Sequence, residues 1–160
     1  MKVAHSFSPI EKSIFLAGPT PRSADVPSWR PTAVEILAWL QFDGTVYVPE
    51  HPDWKAQGTY DKQINWEWAA INAATVVVFW IPRDIETMPA FTTNVEFGML
   101  ANSGKVVLGF PHDAPKNRYL AALAAQNNIP VFYTLEQTLA KAKLLADIRI
   151  GYATGAGLDL

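Results

Sequence analysis

The chain of 160 residues has no cysteine, which excludes disulfide staples, thiolate nucleophiles and zinc sites built on sulfur. It has no apolar run approaching the ~18 residues of a spanning helix. Its start, Met1-Lys2-Val3-Ala4-His5, lacks the apolar stretch of a signal peptide. The expected setting is therefore cytoplasmic, with no membrane partner. Charge of one sign is also scarce: 13 basic and 15 acidic side chains give a formal charge of -2, and no Lys/Arg run exceeds a pair. A broad electrostatic surface for a nucleic acid polymer is not expected. The three histidines, His5, His51 and His112, stand apart without metal-ligand spacing, so neither a metal centre nor a cofactor is expected. The glycine-rich dinucleotide fingerprint, the P-loop and the serine-hydrolase elbow are all missing.

Apolar residues make up 49% of the chain, enough for the core of one domain. Short continuous apolar runs alternate with segments of helical periodicity. Residues 13–17 read as a buried strand, ended by Gly18, Pro19 and Thr20, and residues 21–28 as loop. Pro31 suits the first turn of a helix, Val34, Leu37 and Ala38 repeat at helical spacing, and Gly44 closes that element. Residues 45–48 form a second strand and 49–60 a loop. A helix is expected from about Asp61, with Ile64, Trp68 and Ile71 on one face. Residues 75–80, with three consecutive valines, are the strongest strand. Beyond it come a loop at 81–90, a helix at 92–102 and a strand at 106–110. A helix at 117–126, a short strand at 131–133 and a helix from 135 to about 147 follow. Thr134 and Gln137 stand at capping-box spacing for the last helix, and 150–160, with three glycines, reads as an irregular tail. Continuous apolar strands are covered on both faces. The expected fold is a single-domain α/β unit spanning 1–160. Its open parallel five-stranded sheet is flanked by helices, flavodoxin-like or Rossmann-like.

Such sheets bind ligands beyond the carboxyl ends of their strands, which directs attention to residues 18–22, 49–60, 81–93 and 111–117. Glu96 lies in Phe91-Thr92-Thr93-Asn94-Val95-Glu96-Phe97-Gly98, placed by the pattern near the start of a helix. There the helix dipole favours an ionised carboxylate, as a nucleophile toward a glycosidic carbon requires. A second reading makes Thr93 and Glu96 a capping box, with Glu96 only the reciprocal cap. Six tryptophans suit either a core, a subunit interface or the stacking of a flat ligand. Arg22 and Arg30 would suit either solvated surface or neutralisation of a substrate phosphate.

Three stretches together resemble the nucleoside 2-deoxyribosyltransferase family. They are Ile14-Phe15-Leu16-Ala17-Gly18-Pro19; Ile64-Asn65-Trp66-Glu67 followed by Phe79-Trp80-Ile81-Pro82; and Asn94-Val95-Glu96-Phe97-Gly98 trailed by Gly104-Lys105-Val106-Val107. The resemblance implies a glycosyltransferase that moves 2-deoxyribose between nucleobases by double displacement, with Glu96 as nucleophile and no cofactor. It implies that Phe15, Gly18 and Pro19 belong to the substrate pocket. Trp54, Trp66 and Trp80 become candidates for the base, and Thr93 and Asn94 for the sugar. Members of the family carry an aspartate six positions before the nucleophile, where this chain has Ala90. Asp84 is the leading substitute acid; Glu86, Asp61 and Glu67 are alternatives, Asp61 also counting among the pocket residues. Family sites are often completed by a neighbouring subunit, which implies a homo-oligomer, with Asn117 and the 150–160 tail as candidate contributions. Two other functions stay open. One is an N-glycoside hydrolase of 2′-deoxynucleosides or their 5′-monophosphates; the other is a nucleoside- or nucleotide-binding module without catalysis.

Overall fold

The computed structural model of the protein describes residues 1–4, 12–50 and 60–154. Its strands are β1 (Lys2–Ala4), β2 (Ser13–Ala17), β3 (Thr45–Tyr47), β4 (Val76–Trp80), β5 (Val106–Gly109) and β6 (Val131–Phe132). The helices are α1 (Arg30–Trp39), α2 (Tyr60–Ala73), α3 (Phe91–Leu100), α4 (Arg118–Gln126) and α5 (Leu135–Thr154). All strand pairs are parallel, in the order β1-β3-β2-β4-β5-β6. Without β1, this is the flavodoxin-like winding, in which the second strand lies outside the first and the rest follow on the other side. The five strands read from the sequence are all present. β1 is an addition at the edge, three residues whose pairing with β3 no local pattern announces.

The sheet separates two cores. On one face, Phe15, Tyr47, Val77, Phe79 and Leu108 pack with Ala70 and Ile71 of α2, Phe97 of α3 and Leu120 of α4. On the other, Ile14, Leu16, Val76, Val78, Trp80 and Val107 pack with Ala33 and Leu37 of α1 and Leu139, Ala142 and Ala146 of α5. Alternate residues of each central strand thus serve opposite faces, and every position of β2 and β4 is buried. That is why these strands are apolar without interruption. Pro31 lies in the first turn of α1, and Gln137 N donates to Thr134 Oγ1 at the start of α5, as the spacings suggest. α5 continues to Thr154, so the part of the expected tail at 150–154 is helical, while 155–160 lies outside the described residues. Among the described residues, no helix is long and apolar enough to cross a membrane.

Candidate functional site

The direction of winding reverses between β2 and β4, and a crevice beyond the strand ends is built into such a point. A cavity of about 400 Å³ opens there. Its walls are Gly18, Pro19 and Thr20 after β2, Pro49 after β3, one side of α2, and Pro89 with the first turns of α3. Phe15 lines it as well and is almost fully buried. Gly18 is required by the fold at this place. Its φ is +153°, and a Cβ there would lie 2.2 Å from the Trp80 carbonyl oxygen and 2.7 Å from the Trp29 ring.

Two carboxylates face this space, Glu67 from α2 and Glu96 from α3. Glu96 lies in the second turn of α3, beyond the reach of the dipole stabilisation expected for a first-turn acid. Its pKa is pushed up from 4.5 to about 7, first by burial and next by the charge of Glu67, with Arg30 pulling downward. Glu67 is also raised, chiefly by burial, against a hydrogen bond from Gln63 and the charge of Arg30. That hydrogen bond, Gln63 Nε2 to Glu67 Oε1, is 2.9 Å long, the i,i+4 neighbour relation on α2. Burial thus disfavours the ionised form of each, and the charge of Glu67 disfavours that of Glu96 further. Such a pair can supply an acid from one member and a nucleophile or base from the other.

Arg30 organises the loop after β2. It is 2% exposed, its guanidinium bonds Glu50, and it donates to the carbonyls of Leu16 at 3.1 Å, Gly18 at 2.7 Å and Pro19 at 3.3 Å. Glu50 also accepts from Ser28 Oγ at 2.6 Å. The Trp29 ring lies under the Arg30 guanidinium, and its Nε1 donates to the Pro19 carbonyl. With Glu50 as its counter-ion, Arg30 is a buried strut whose charge reaches the carboxylate pair. It is not the solvated surface cation that its position in the sequence also allowed.

A second strut sets the start of α3. Arg83 donates to Asn94 Oδ1 at 2.6 Å, the Pro89 carbonyl at 2.9 Å and Asn117 Oδ1 at 3.2 Å. Asn117 Nδ2 in turn donates to the Ile81 carbonyl. The N-cap of α3 is Ala90, left-handed with φ 60° and without a side-chain cap. Thr93 is therefore inside the helix, and the capping box with Glu96 does not form.

Of the residues expected from the sequence, Phe15, Gly18, Pro19, Thr93 and Glu96 line the cavity. Asn94 and Asn117 are held by Arg83, and Asn117 is buried within its own chain instead of facing a neighbour. Trp80 belongs to the core on the opposite face of the sheet. Trp66 packs on Phe15 with ring centroids 6.2 Å apart, and Asp61 is exposed at the start of α2; neither lines the cavity. Trp54 lies outside the described residues, while Trp68 lines the cavity instead. Asp84 does not line the cavity. It is exposed in a turn, where Oδ1 accepts from Glu86 N at 3.0 Å, Thr87 N at 2.8 Å and Thr87 Oγ1 at 2.9 Å. These bonds hold its carboxyl below the usual range, opposite to what a proton donor at neutral pH needs. The carboxylate that shares the cavity with Glu96 is Glu67, which the sequence offered only as an alternative. Among the described residues, no group of three or more His, Asp or Glu side chains is placed to hold a metal ion.

Among solved structures, rubredoxin oxygen:oxidoreductase from the anaerobe Desulfovibrio gigas is 14% identical with a TM-score of 0.42. The alignment covers 95% of this chain and 38% of that one, and no argument rests on so loose a likeness. No curated protein matches the chain. The family described as "nucleoside 2-deoxyribosyltransferase like" matches residues 11–114, well over half of the chain and every cavity-lining segment. The chain belongs to the nucleoside 2-deoxyribosyltransferase-like family.

Proposed function

We propose that the protein moves 2-deoxyribose from one nucleobase to another through a covalent ester at Glu96. The observation that carries this reading is the meeting of Glu96 and Glu67 in one cavity at the reversal of the sheet, where burial favours the protonated form of each. In the first displacement a Glu96 carboxylate oxygen attacks C1′. The C1′–N bond breaks, and the departing base takes the proton from Glu67. In the second, a ring nitrogen of the incoming base attacks C1′, the ester bond breaks, and Glu67 recovers a proton from that base. Two inversions retain the configuration, and the protein supplies both nucleophile and acid, so no cofactor enters.

The cavity admits a small-molecule donor and acceptor in turn. Its rim carries exposed apolar side chains, Trp68 on α2 and Phe91, Val95 and Met99 at four-residue spacing on α3. A second copy of the chain covering this rim would bury them and keep water from the ester, which favours transfer over hydrolysis. A homo-oligomer is therefore part of the proposal. A light-scattering mass of one chain at assay concentration, with full activity, would remove that part.

The central test is chromatographic. Purified protein is mixed with a 2′-deoxynucleoside and a different free base, beside the Glu96→Ala variant and a tube without base. The expected result is a new deoxynucleoside, absent with the variant. Base release without exchange would make the protein a hydrolase, and exchange that survives Glu96→Ala would overturn the assignment of the nucleophile.

A further inference from the structure

We propose that the end of the cavity beside the first turn of α3 is a phosphate subsite, and that the deoxyribose donor is a nucleoside 5′-monophosphate. The donor's identity rests on the glycosyl chemistry assigned to Glu96, whereas the phosphate contacts are made by other groups.

Three independent features converge on this end. The first is Arg22, which lines the cavity. Its guanidinium lies over the Phe91 ring at 5.6 Å, and its backbone N–H donates to the Thr87 carbonyl at 3.0 Å, which fixes its place. No carboxylate among the described residues pairs with it, in contrast to Arg30, which is neutralised by Glu50. The second is the start of α3. The first backbone bond of the helix is Asn94 N to the Ala90 carbonyl, and Ala90 offers no cap. The N–H groups of Phe91, Thr92 and Thr93 thus have no acceptor among the described residues, and these three residues line the same space. Free N–H groups and the helix dipole together favour an anion.

The third feature is Thr93. It is 4% exposed, it lines the cavity, and its hydroxyl has no hydrogen-bond partner among the described residues. A threonine this buried ordinarily bonds something. Here the open partner is whatever enters the cavity. Among the described residues the carboxylates of the lining are Glu67 and Glu96, and neither pairs with Arg22. The spacing also suits the chemistry. Thr93 and Glu96 are i,i+3 neighbours on one side of α3, about 5 Å apart along the axis. In a 5′-nucleotide, the ring oxygen, C4′, C5′ and O5′ separate the anomeric carbon from phosphorus, a comparable span. A phosphate on the first turn therefore brings C1′ toward Glu96.

The test is calorimetry on a Glu96→Gln background, which keeps the site but removes the nucleophile. The ligands are a 2′-deoxynucleoside, its 5′-monophosphate and inorganic phosphate. The monophosphate is expected to bind at least about tenfold more tightly than the nucleoside, the scale of one charge-assisted hydrogen bond, and inorganic phosphate to compete with it. Arg22→Ala, an exposed position unlike the buried struts, should remove most of that advantage. Thr93→Val should remove part of it, and Arg118→Ala on α4 should leave it intact. Equal affinity for nucleoside and monophosphate, or equal weakening of both by Arg22→Ala, would overturn the subsite. The two proposals fail separately. Exchange on free nucleosides without a monophosphate advantage sinks only the phosphate subsite. An Arg22-dependent monophosphate advantage, in a protein whose turnover survives Glu96→Ala, sinks only the role of Glu96.

Discussion

Replacing Glu96 by Gln should stabilise the protein at alkaline pH and leave it unchanged in acid. Burial and Glu67 raise the Glu96 carboxyl from 4.5 to about 7, and a raised acid means that the folded state holds a proton the unfolded chain would release. Between those two values the unfolded state binds fewer protons than the native state, so stability falls as pH rises. Above about pH 7 the full cost of ionising a buried carboxylate beside another is present; below 4.5 it is absent. At about 1.4 kcal/mol per unit, that cost is about 3 kcal/mol. This figure is a ceiling, because the cavity leaves the group partly wetted. Glutamine is nearly isosteric and removes the charge. Urea unfolding at pH 8 should therefore show a gain approaching that ceiling, seen thermally as about 2–4 °C per kcal/mol for a chain of this size. The same pair of proteins at pH 4 should unfold alike. A variant no more stable than its parent at pH 8, or a gain of the same size at both values, would mean that Glu96 is not a desolvated carboxylate in a like-charged pair.

Glu67→Gln should lower the exchange rate by about 10²–10⁴, the range of a lost general acid, and move the acidic limb of the pH profile downward because Glu96 loses its negative neighbour. Asp84→Ala, by contrast, should leave the rate close to that of the parent, and a large loss in that assay would return the acid to the turn. Gly18→Ala should destabilise the fold in chemical denaturation by about 1–3 kcal/mol from overpacking alone, since the added carbon meets the Trp80 carbonyl oxygen at 2.2 Å; an unchanged midpoint would refute the close approach. Ala90→Asp should cap α3 and occupy its N–H groups, lowering the monophosphate-to-nucleoside ratio of kcat/KM by about tenfold or more through like-charge repulsion. A ratio unaffected by that change would place the phosphate elsewhere.

The difference between what the sequence disclosed and what it concealed follows the range of the interactions. The strands were legible because each is buried on both faces, and burial is written locally as Val76-Val77-Val78-Phe79-Trp80. Periodicity could not assign those side chains to a face, however. Trp80 was offered to the ligand, yet the alternation of β4 sends it to the core under α1 and α5. β1 was missed because a three-residue edge strand is defined by its partner β3 and carries little pattern of its own. The helix start misled in a similar way. Thr93 and Glu96 have the spacing of a capping box, but the left-handed Ala90 begins the helix three residues earlier, which moves Glu96 into the second turn and out of the dipole's reach.

The candidate acid was concealed for a deeper reason. Asp84 follows the strand end at Trp80 most closely, and that place favoured it, but the turn from Asp84 to Met88 closes on itself. Glu67 reaches the cavity because α2 follows β3 and α3 follows β4, the strands on either side of β2, and both helices pack on the same face of the sheet. Their inward turns therefore meet over the crevice between β2 and β4. Gln63 and Glu67 did leave a local trace, an amide and a carboxylate at i,i+4 in a helix otherwise set by apolar spacing. Nothing local says that this pair faces another carboxylate. The burial that raises both acids, and the charge that Glu67 adds at Glu96, arise only when the sheet is wound, and so the chemistry of the site is a property of the topology as much as of any motif.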